Sequence, residues 1–352
     1  MNTITVTSSV NYDIIIGRGL LNNIGELILK NLSPNHTAII TDDIVDRLYG
    51  SSLDSSLQKS GISACKFVFP HGEGSKNLHT LENILEFLAE NSITRSDMII
   101  AFGGGVVGDI AGFAAACYMR GIKYIQIPTT FLAAIDSSVG GKTAVDLKAG
   151  KNLAGAFHQP RLVICDTNTL STLPPDIFAD GAAESIKYGM LSSEPLFNIL
   201  KTGRFDDKLE EIIKQCVSIK ASIIQNDEFD NGERQKLNLG HTLGHAIERL
   251  SEYKITHGHA VAIGMAIISR ASLKLGLSDC DCLTPLLEAL TACNLPISCN
   301  YSAQDLYNAA LSDKKRNGGS ITVVLPRHIG DCYLKTIPVN ELLAYIQAGL
   351  ED

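Results

Sequence analysis

Met98-Ile99-Ile100-Ala101-Phe102 runs into Gly103-Gly104-Gly105-Val106-Val107-Gly108-Asp109 and then Ile110-Ala111-Gly112-Phe113-Ala114. The first five residues read as a buried strand, and the small apolar residues after Asp109 as a helix. Gly103, Gly105 and Gly108 fit G-x-G-x-x-G in this strand–turn–helix setting, where a pyrophosphate can approach backbone N–H groups at the helix start. Two usual companions are missing. The motif is not in the first βα unit, and no acid ends the next strand about 20 residues on. The turn reads as dinucleotide-binding on a variant layout, with a packing turn as the alternative.

Upstream of this turn, residues 3–7 and 12–16 flank Ser8-Ser9 as an opening strand pair. Leu20, Leu21, Ile24, Leu27 and Ile28 then recur at helical spacing. Strands at 37–41, 64–69 and 98–102 alternate with helices at 44–59 and 78–90. That order predicts an α/β, Rossmann-like domain with a mostly parallel sheet, over residues 1–174. Ligands in such sheets sit at the carboxyl ends of strands. Thr41-Asp42-Asp43 occupies one such end; its acid could bind ribose hydroxyls, but on this loop alone a helix cap is the better reading. His71-Gly72-Glu73-Gly74-Ser75-Lys76-Asn77 occupies another, as a ribose or phosphate grip or a solvated turn.

Downstream, the strand Tyr124-Ile125-Gln126-Ile127-Pro128 leads to Asp136-Ser137-Ser138-Val139-Gly140-Gly141-Lys142-Thr143, with Lys148, Lys151 and Asn152 close behind. The Gly-Gly pair permits left-handed or close-approach backbone, and lysines beside such a turn suit an oxyanion. A nucleotide-triphosphate loop is excluded, because G-x-x-x-x-G-K-[ST] needs glycine where Asp136 stands.

The 352 residues are 45% hydrophobic and 19% charged, enough to bury about 75% of the unfolded surface and better suited to two domains than one. A net charge of −8 disfavours nucleic acid and anionic membrane as partners, so any cationic pocket must be local. No apolar run reaches membrane-spanning length and no N-terminal signal pattern occurs, which predicts a cytoplasmic chain. The nine cysteines are scattered without a CxxC pair and read as reduced thiols.

After Pro174-Pro175 the periodicity turns helical, with one hairpin expected at 320–325 and 331–335. Residues 175–352 are predicted to be an all-α domain that binds metal and substrate. Glu184 and Lys187 share a helical face, and taken alone they read as a surface ion pair. Arg234, Asn238, His241 and His245 fall at i, i+4, i+7 and i+11, which predicts one helical stripe. His257-Gly258-His259 opens the next helix. This histidine cluster beside Arg and Asn points to a metal site; two histidines and one carboxylate would leave a zinc position open for substrate. Lys220 and Lys314-Lys315, each taken singly, read as solvated lysines.

Together, the motifs at 136–143 and 150–160, Ala183-Glu184-x-x-Lys187-Tyr188-Gly189, and Leu239-Gly240-His241-Thr242-x-Gly244-His245-Ala246-Ile247-Glu248 resemble the 3-dehydroquinate synthase family. The resemblance runs from Asp42 to about Leu325. It implies a parallel-sheet NAD domain joined to an α-helical metal domain, usually as a homodimer. It also implies the second step of the shikimate pathway: 3-deoxy-D-arabino-heptulosonate 7-phosphate, a phosphorylated sugar acid, becomes 3-dehydroquinate and phosphate through transient oxidation by NAD, elimination, re-reduction, ring opening and aldol closure. The implied ligands for zinc or cobalt are Glu184, His241 and His257, with His245 donating to substrate.

NAD positions carried over are Asp42, Glu73, Gly74, Ser75, Lys76, Gly105, Val106, Val107, Gly108, Asp109, Thr129, Thr130, Lys142, Lys151, Thr169, Leu170, Ser171 and Thr172. Substrate positions are Arg120, which would reach in from the neighbouring subunit, Asp136, Lys142, Asn152, Lys187, Lys220, Arg234, Asn238, His245 and Lys314. Two positions depart from the family: it usually reads His-Gly-Glu at 257–259, and Gly is common at Ala144. His259 would place a second imidazole near the metal. The unbroken Ser-Ser-Val-Gly-Gly-Lys-Thr run favours the shikimate substrate over other sugar phosphate cyclisations. The nearest rival reading is a metal-dependent polyol dehydrogenase.

Overall fold

The computed structural model describes residues 1–314 and 319–350; the side chains of 312–314 are outside the description, as is Lys315. The chain divides into two compact units, Met1–Leu173 with Lys220–Phe229, and Pro174–Ile219 with Asp230–Asp352.

The first unit contains β1 (Asn2–Val6), β2 (Tyr12–Gly17), α1 (Ile24–Asn31), β3 (His36–Asp42), α2 (Asp43–Val45), α3 (Ser51–Lys59), β4 (Ser63–Phe69), α4 (Leu78–Glu90), β5 (Met98–Gly103), α5 (Gly105–Cys117), β6 (Lys123–Pro128), β7 (Lys142–Leu147), β8 (Gly150–Phe157) and β9 (Leu162–Asp166). Seven strands form one sheet in the order β1-β2-β9-β6-β5-β3-β4, parallel except at β1. Successive side chains alternate between its faces. Ile39, Ile100, Ile125 and Ile164 pack against Ile24, Ile28, Leu53 and Leu57 of α1 and α3. Ala38, Ile40, Ile99 and Ala101 pack against α4 and α5 through Ile84, Leu88, Ile110 and Ala114. Helices on both faces explain why β5 and β9 are buried along their whole length. Each fully buried Ile or Leu contributes about 1.5–3 kcal/mol.

Strand order reverses at β3, with β4 on one side and β5 on the other. The register Thr41↔Phe102 and Gly103↔Pro128 brings the loops after Asp42, Gly103 and Pro128 to one edge, where such sheets bind ligands. Two elements go beyond the sequence reading. β9 supplies a central strand, and the lysine-rich 142–157 stretch folds as an antiparallel hairpin of β7 and β8. Gly140 and Gly141 both adopt positive φ, as their pairing suggests.

The second unit contains α6 (Pro175–Ser192), α7 (Glu194–Leu200), α8 (Leu209–Asn226, whose last turns belong to the first unit), α9 (His241–Leu250), α10 (His257–Lys274), α11 (Leu283–Ala292), α12 (Ala303–Lys314), β10 (Ser320–His328), β11 (Asp331–Pro338) and α13 (Leu342–Leu350). Among the described residues it is helical apart from the expected hairpin, β10–β11. The single stripe from Arg234 to His245 does not form. Glu233–Asn238 is a separate 3-10 turn, Gly240 sits at φ 77°, and a new helix starts at His241. The break has a packing cause: a Cβ on Gly240 would lie 2.8 Å from the Val261 carbonyl of α10.

Candidate functional site

The second unit carries a buried polar centre. α6 is buried from Ala179 to Leu191, and within that stretch Glu184 is fully buried and Lys187, one turn on, is 1% exposed. They form an ion pair, so the surface reading fails on burial. Both Glu184 oxygens lack a hydrogen bond of good geometry. Besides the Lys187 ammonium, Glu184 Oε1 faces His241 Nε2 at 3.5 Å and His257 Nε2 at 3.6 Å. One ligand atom from each of Glu184, His241 and His257 lies within 4.8 Å of the others.

The outer nitrogens of both rings are committed. His241 Nδ1 donates to the Leu239 carbonyl at 3.1 Å, and His257 Nδ1 donates to Glu248 Oε2 at 3.1 Å. Each Nε2 is thereby left to face Glu184. Burial, then the Lys187 ammonium, hold His241 well below the ordinary histidine range, so its ring is neutral. Burial works downward on His257 too, but the hydrogen bond and charge of Glu248 outweigh it and raise its pKa. An orphaned buried carboxylate opposite two oriented imidazoles fits a divalent cation with mixed N/O ligands.

The remaining predicted residues of this unit divide. The His245 ring lies 5.5 Å from His241 and 5.9 Å from His257 by centroids. Arg234 is 1% exposed on the 3-10 turn, with Asn238 at its end. Lys314 ends α12, and its side chain falls outside the described residues. His259 does not join the metal-type cluster. Its Nδ1 lies 3.0 Å from Asp180 Oδ1 and 2.8 Å from Thr256 Oγ1, and Asp180 also accepts from the His259 backbone N–H at 3.1 Å. The hydrogen bond to Asp180 raises the His259 pKa. The second imidazole is thus tied to α6 instead of to the metal-type centre.

In the first unit, α5 begins at Gly105, so the N–H groups of its opening turn have no helical acceptor and favour an anion. Gly108 serves packing: a Cβ there would lie 2.5 Å from Gln126 Oε1. Gly105 faces a softer neighbour, Ser137 Oγ at 3.1 Å. The hydroxyls of Thr129 and Ser137 are buried with no hydrogen-bond partner, which fits a polar ligand at this edge. Thr130 Oγ1 accepts from Ala133 N at 3.2 Å.

Lys76, 5% exposed, pairs with Asp109 at 2.5 Å and donates to Asn152 Oδ1 at 2.5 Å, with Glu73 at 4.0 Å. Burial works against the Lys76 charge, but Asp109 and Glu73 outweigh it and raise the pKa. Burial raises Asp109, against the pull of Lys76. Lys151 lies 3.5 Å from Glu73. Asn152 is held at φ 55° by Asp146, whose Oδ1 accepts from its backbone N–H at 2.8 Å.

Asp42 caps α2 by accepting from Ile44 and Val45 N–H groups, as its loop alone suggested. Thr169 to Thr172 lie on a 3-10 turn after β9, where Tyr49 donates to the Thr169 carbonyl at 3.1 Å and meets Thr172 Oγ1 at 2.6 Å. Lys220 is buried instead of solvated. It bonds the Asp136 carbonyl at 2.8 Å and pairs with its carboxylate. Lys142 opens β7, exposed, and Arg120 is exposed at φ 68°.

The 3-dehydroquinate synthase N-terminal family model matches residues 66–180, and the 3-dehydroquinate synthase C-terminal model matches 181–316. This chain belongs to the 3-dehydroquinate synthase family. A 3-dehydroquinate synthase of Clostridium acetobutylicum is 45% identical over 343 residues, 96% of each chain. Among solved structures, a 2-deoxy-scyllo-inosose synthase complexed with carbaglucose-6-phosphate, NAD+ and Co2+ superposes with TM-score 0.89 at 27% identity, over 99% of this chain and 100% of that one. A 2-epi-5-epi-valiolone synthase from Streptomyces hygroscopicus, with NAD+ and Zn2+ bound, gives 0.87 at 26% identity over 98% of each. Membership in the family agrees with the buried acid–His–His cluster and the glycine turn. No helix among the described residues is long and apolar enough to cross a membrane.

Sequence reasoning missed Glu248, Asp180 and Asp146. Each acts through hydrogen bonds to another residue's ring or backbone, which leaves no periodic mark. Only the tail of the Leu239–Glu248 motif hinted at Glu248.

Proposed function

We propose that this chain is a phosphate-eliminating lyase that converts 3-deoxy-D-arabino-heptulosonate 7-phosphate into 3-dehydroquinate and phosphate, returning NAD to its starting oxidation state. The single observation that carries the reading is the Glu184–His241–His257 cluster, on a chain that the two family models match from residue 66 to residue 316. When bound, NAD accepts and returns a hydride, and a divalent ion, zinc or cobalt, acidifies a substrate hydroxyl.

Glu184, His241 and His257 would hold the ion. The opening turn of α5, Lys76, Asp109 and Thr129 would hold NAD. A substrate bearing phosphate and carboxylate needs local cations in a protein of net charge −8. Lys142, Lys187, Lys220 and Arg234 would supply them. Asn152 and Asn238 would bind hydroxyls, and His245 would donate a proton or hydrogen bond to substrate. Asp136, fixed by Lys220, would orient a hydroxyl. Once the substrate carbon is oxidised, the adjacent C–H is acidic enough for phosphate to leave. Ring opening and aldol closure would complete the conversion. A cytoplasmic homodimer in which Arg120 serves the neighbouring subunit completes the proposal.

The test mixes purified protein, the heptulosonate phosphate, zinc and substoichiometric NAD+. A synthase releases many phosphates per NAD with no lasting NADH absorbance. NADH accumulating without phosphate would instead mark a polyol dehydrogenase.

A further inference from the structure

We propose that Glu248 is the positioning residue that makes His257 a metal ligand; the inference rests on the metal-site reading above. Glu248 lies at the end of α9, 3% exposed, and its Oε2 meets His257 Nδ1 at 3.1 Å. With the Glu248 carboxylate oxygen accepting, Nδ1 is the donor. The Nε2 lone pair is therefore the one presented to Glu184 Oε1, 3.6 Å away. A carboxylate behind a ligating imidazole fixes both its tautomer and its orientation.

The same residue also shapes the connection that delivers His257. Its backbone carbonyl accepts from Tyr253 N–H and Ser251 Oγ, each at 2.8 Å, which closes the turn after α9. Within that turn Glu252 and Tyr253 stand consecutively at φ 53° and 61°. Left-handed non-glycine residues are strained and persist only where surrounding bonds dictate them. Asp180 anchors the start of α10 from α6, through Thr256 Oγ1 at 2.6 Å and the His259 N–H at 3.1 Å. Asp180 holds the helix. Glu248 holds the ring.

The test titrates the metal-stripped full chain with Co2+ and reads the dissociation constant and the visible d–d spectrum. Wild type, Glu248→Ala, Glu248→Gln and His241→Ala are compared after each is shown to be folded by circular dichroism. Glu248→Ala is expected to weaken Co2+ binding about 10–100-fold at unchanged stoichiometry and to alter the band shape. Glu248→Gln, whose amide oxygen can still accept from Nδ1, should recover most of the loss. Should the alanine variant not fold, Glu248→Asp replaces it, being one methylene too short to reach the ring, with the same weakening expected. Glu248 also lies within 4.8 Å of ligand atoms of His245 and His257, so it could be a ligand itself. Loss of binding as complete as in His241→Ala would establish that and overturn the positioning role, as would wild-type affinity in Glu248→Ala. Co2+ binding indifferent to His241→Ala would overturn the metal-site reading beneath it.

Discussion

Each unit buries a lysine beside an acid, and the two pairs end differently. In the first unit Lys76 is saturated: Asp109, the Asn152 amide oxygen and Glu73 surround its ammonium. In the second, Lys187 pairs with Glu184, but both carboxylate oxygens remain without a well-aligned donor, and two imidazole nitrogens point at one of them. Buried ion pairs seldom add net stability over an apolar packing of the same volume. A closed network such as that around Lys76 organises loops, here 71–77 and 146–152 against the start of α5. An open one such as that around Glu184 is a seat for something that supplies positive charge.

The largest effect should come from the open pair. Lys187→Ala is expected to lower turnover on the order of 10²–10³-fold, as loss of a preorganised charge does. Lys148→Ala, on the exposed tip of the β7–β8 hairpin, should leave turnover unchanged and stability within about 0.5 kcal/mol. Equal activity in the two variants would remove Lys187 from the site.

The closed network can be broken at its centre. Lys76→Met leaves the partly buried Asp109 without its cation, and thermal unfolding should show a loss of about 1.5–3 kcal/mol. NAD affinity, followed by fluorescence titration, should fall with it. A neighbouring pair of substitutions separates packing from binding. Gly108→Ala drives a Cβ towards Gln126 and should destabilise by about 1–3 kcal/mol. Gly105→Ala meets only a movable serine hydroxyl, so it should spare stability while weakening NAD binding.

A satisfied carboxylate remote from both networks gives the smallest effect. Burial works to raise Asp97, but hydrogen bonds from Thr94 and the His36 N–H outweigh it and set the pKa below 3.8. A depressed folded value contributes stability above the unfolded pKa and loses it as pH falls through the folded one. Asp97→Asn should therefore cost about 1–2 kcal/mol at neutral pH, with the gap to wild type narrowing in acid denaturation below pH 4.

Much of this was legible in the residues. Alternating apolar runs marked β3, β4, β5 and β6, and the Gly103–Gly108 spacing marked the strand–turn–helix at the sheet edge. The β7–β8 hairpin was hidden because its lysines, glycines and asparagine resemble a loop; its pairing comes from main-chain bonds and from burial of Val145. The apparent stripe from Arg234 to His245 kept helical spacing through a break between two helical segments, because spacing records intervals and not the left-handed Gly240 within them. Lys187 looked like half of a surface ion pair and Lys220 like a solvated lysine, since burial of a charged residue depends on partners distant in sequence. The proposed ligand set came from family motifs; spacing alone joined His241 to His245.

Zinc retention in Glu184→Gln tests the contrast between the two pairs most directly. Wild-type protein stripped with chelator, reloaded and desalted should hold one zinc per chain and gain thermal stability, as ligand linkage requires. The glutamine variant, folded but without the buried charge, should retain none and show no such gain. One zinc per chain in Glu184→Gln, with the same stabilisation, would contradict the assignment of Glu184 as a metal ligand.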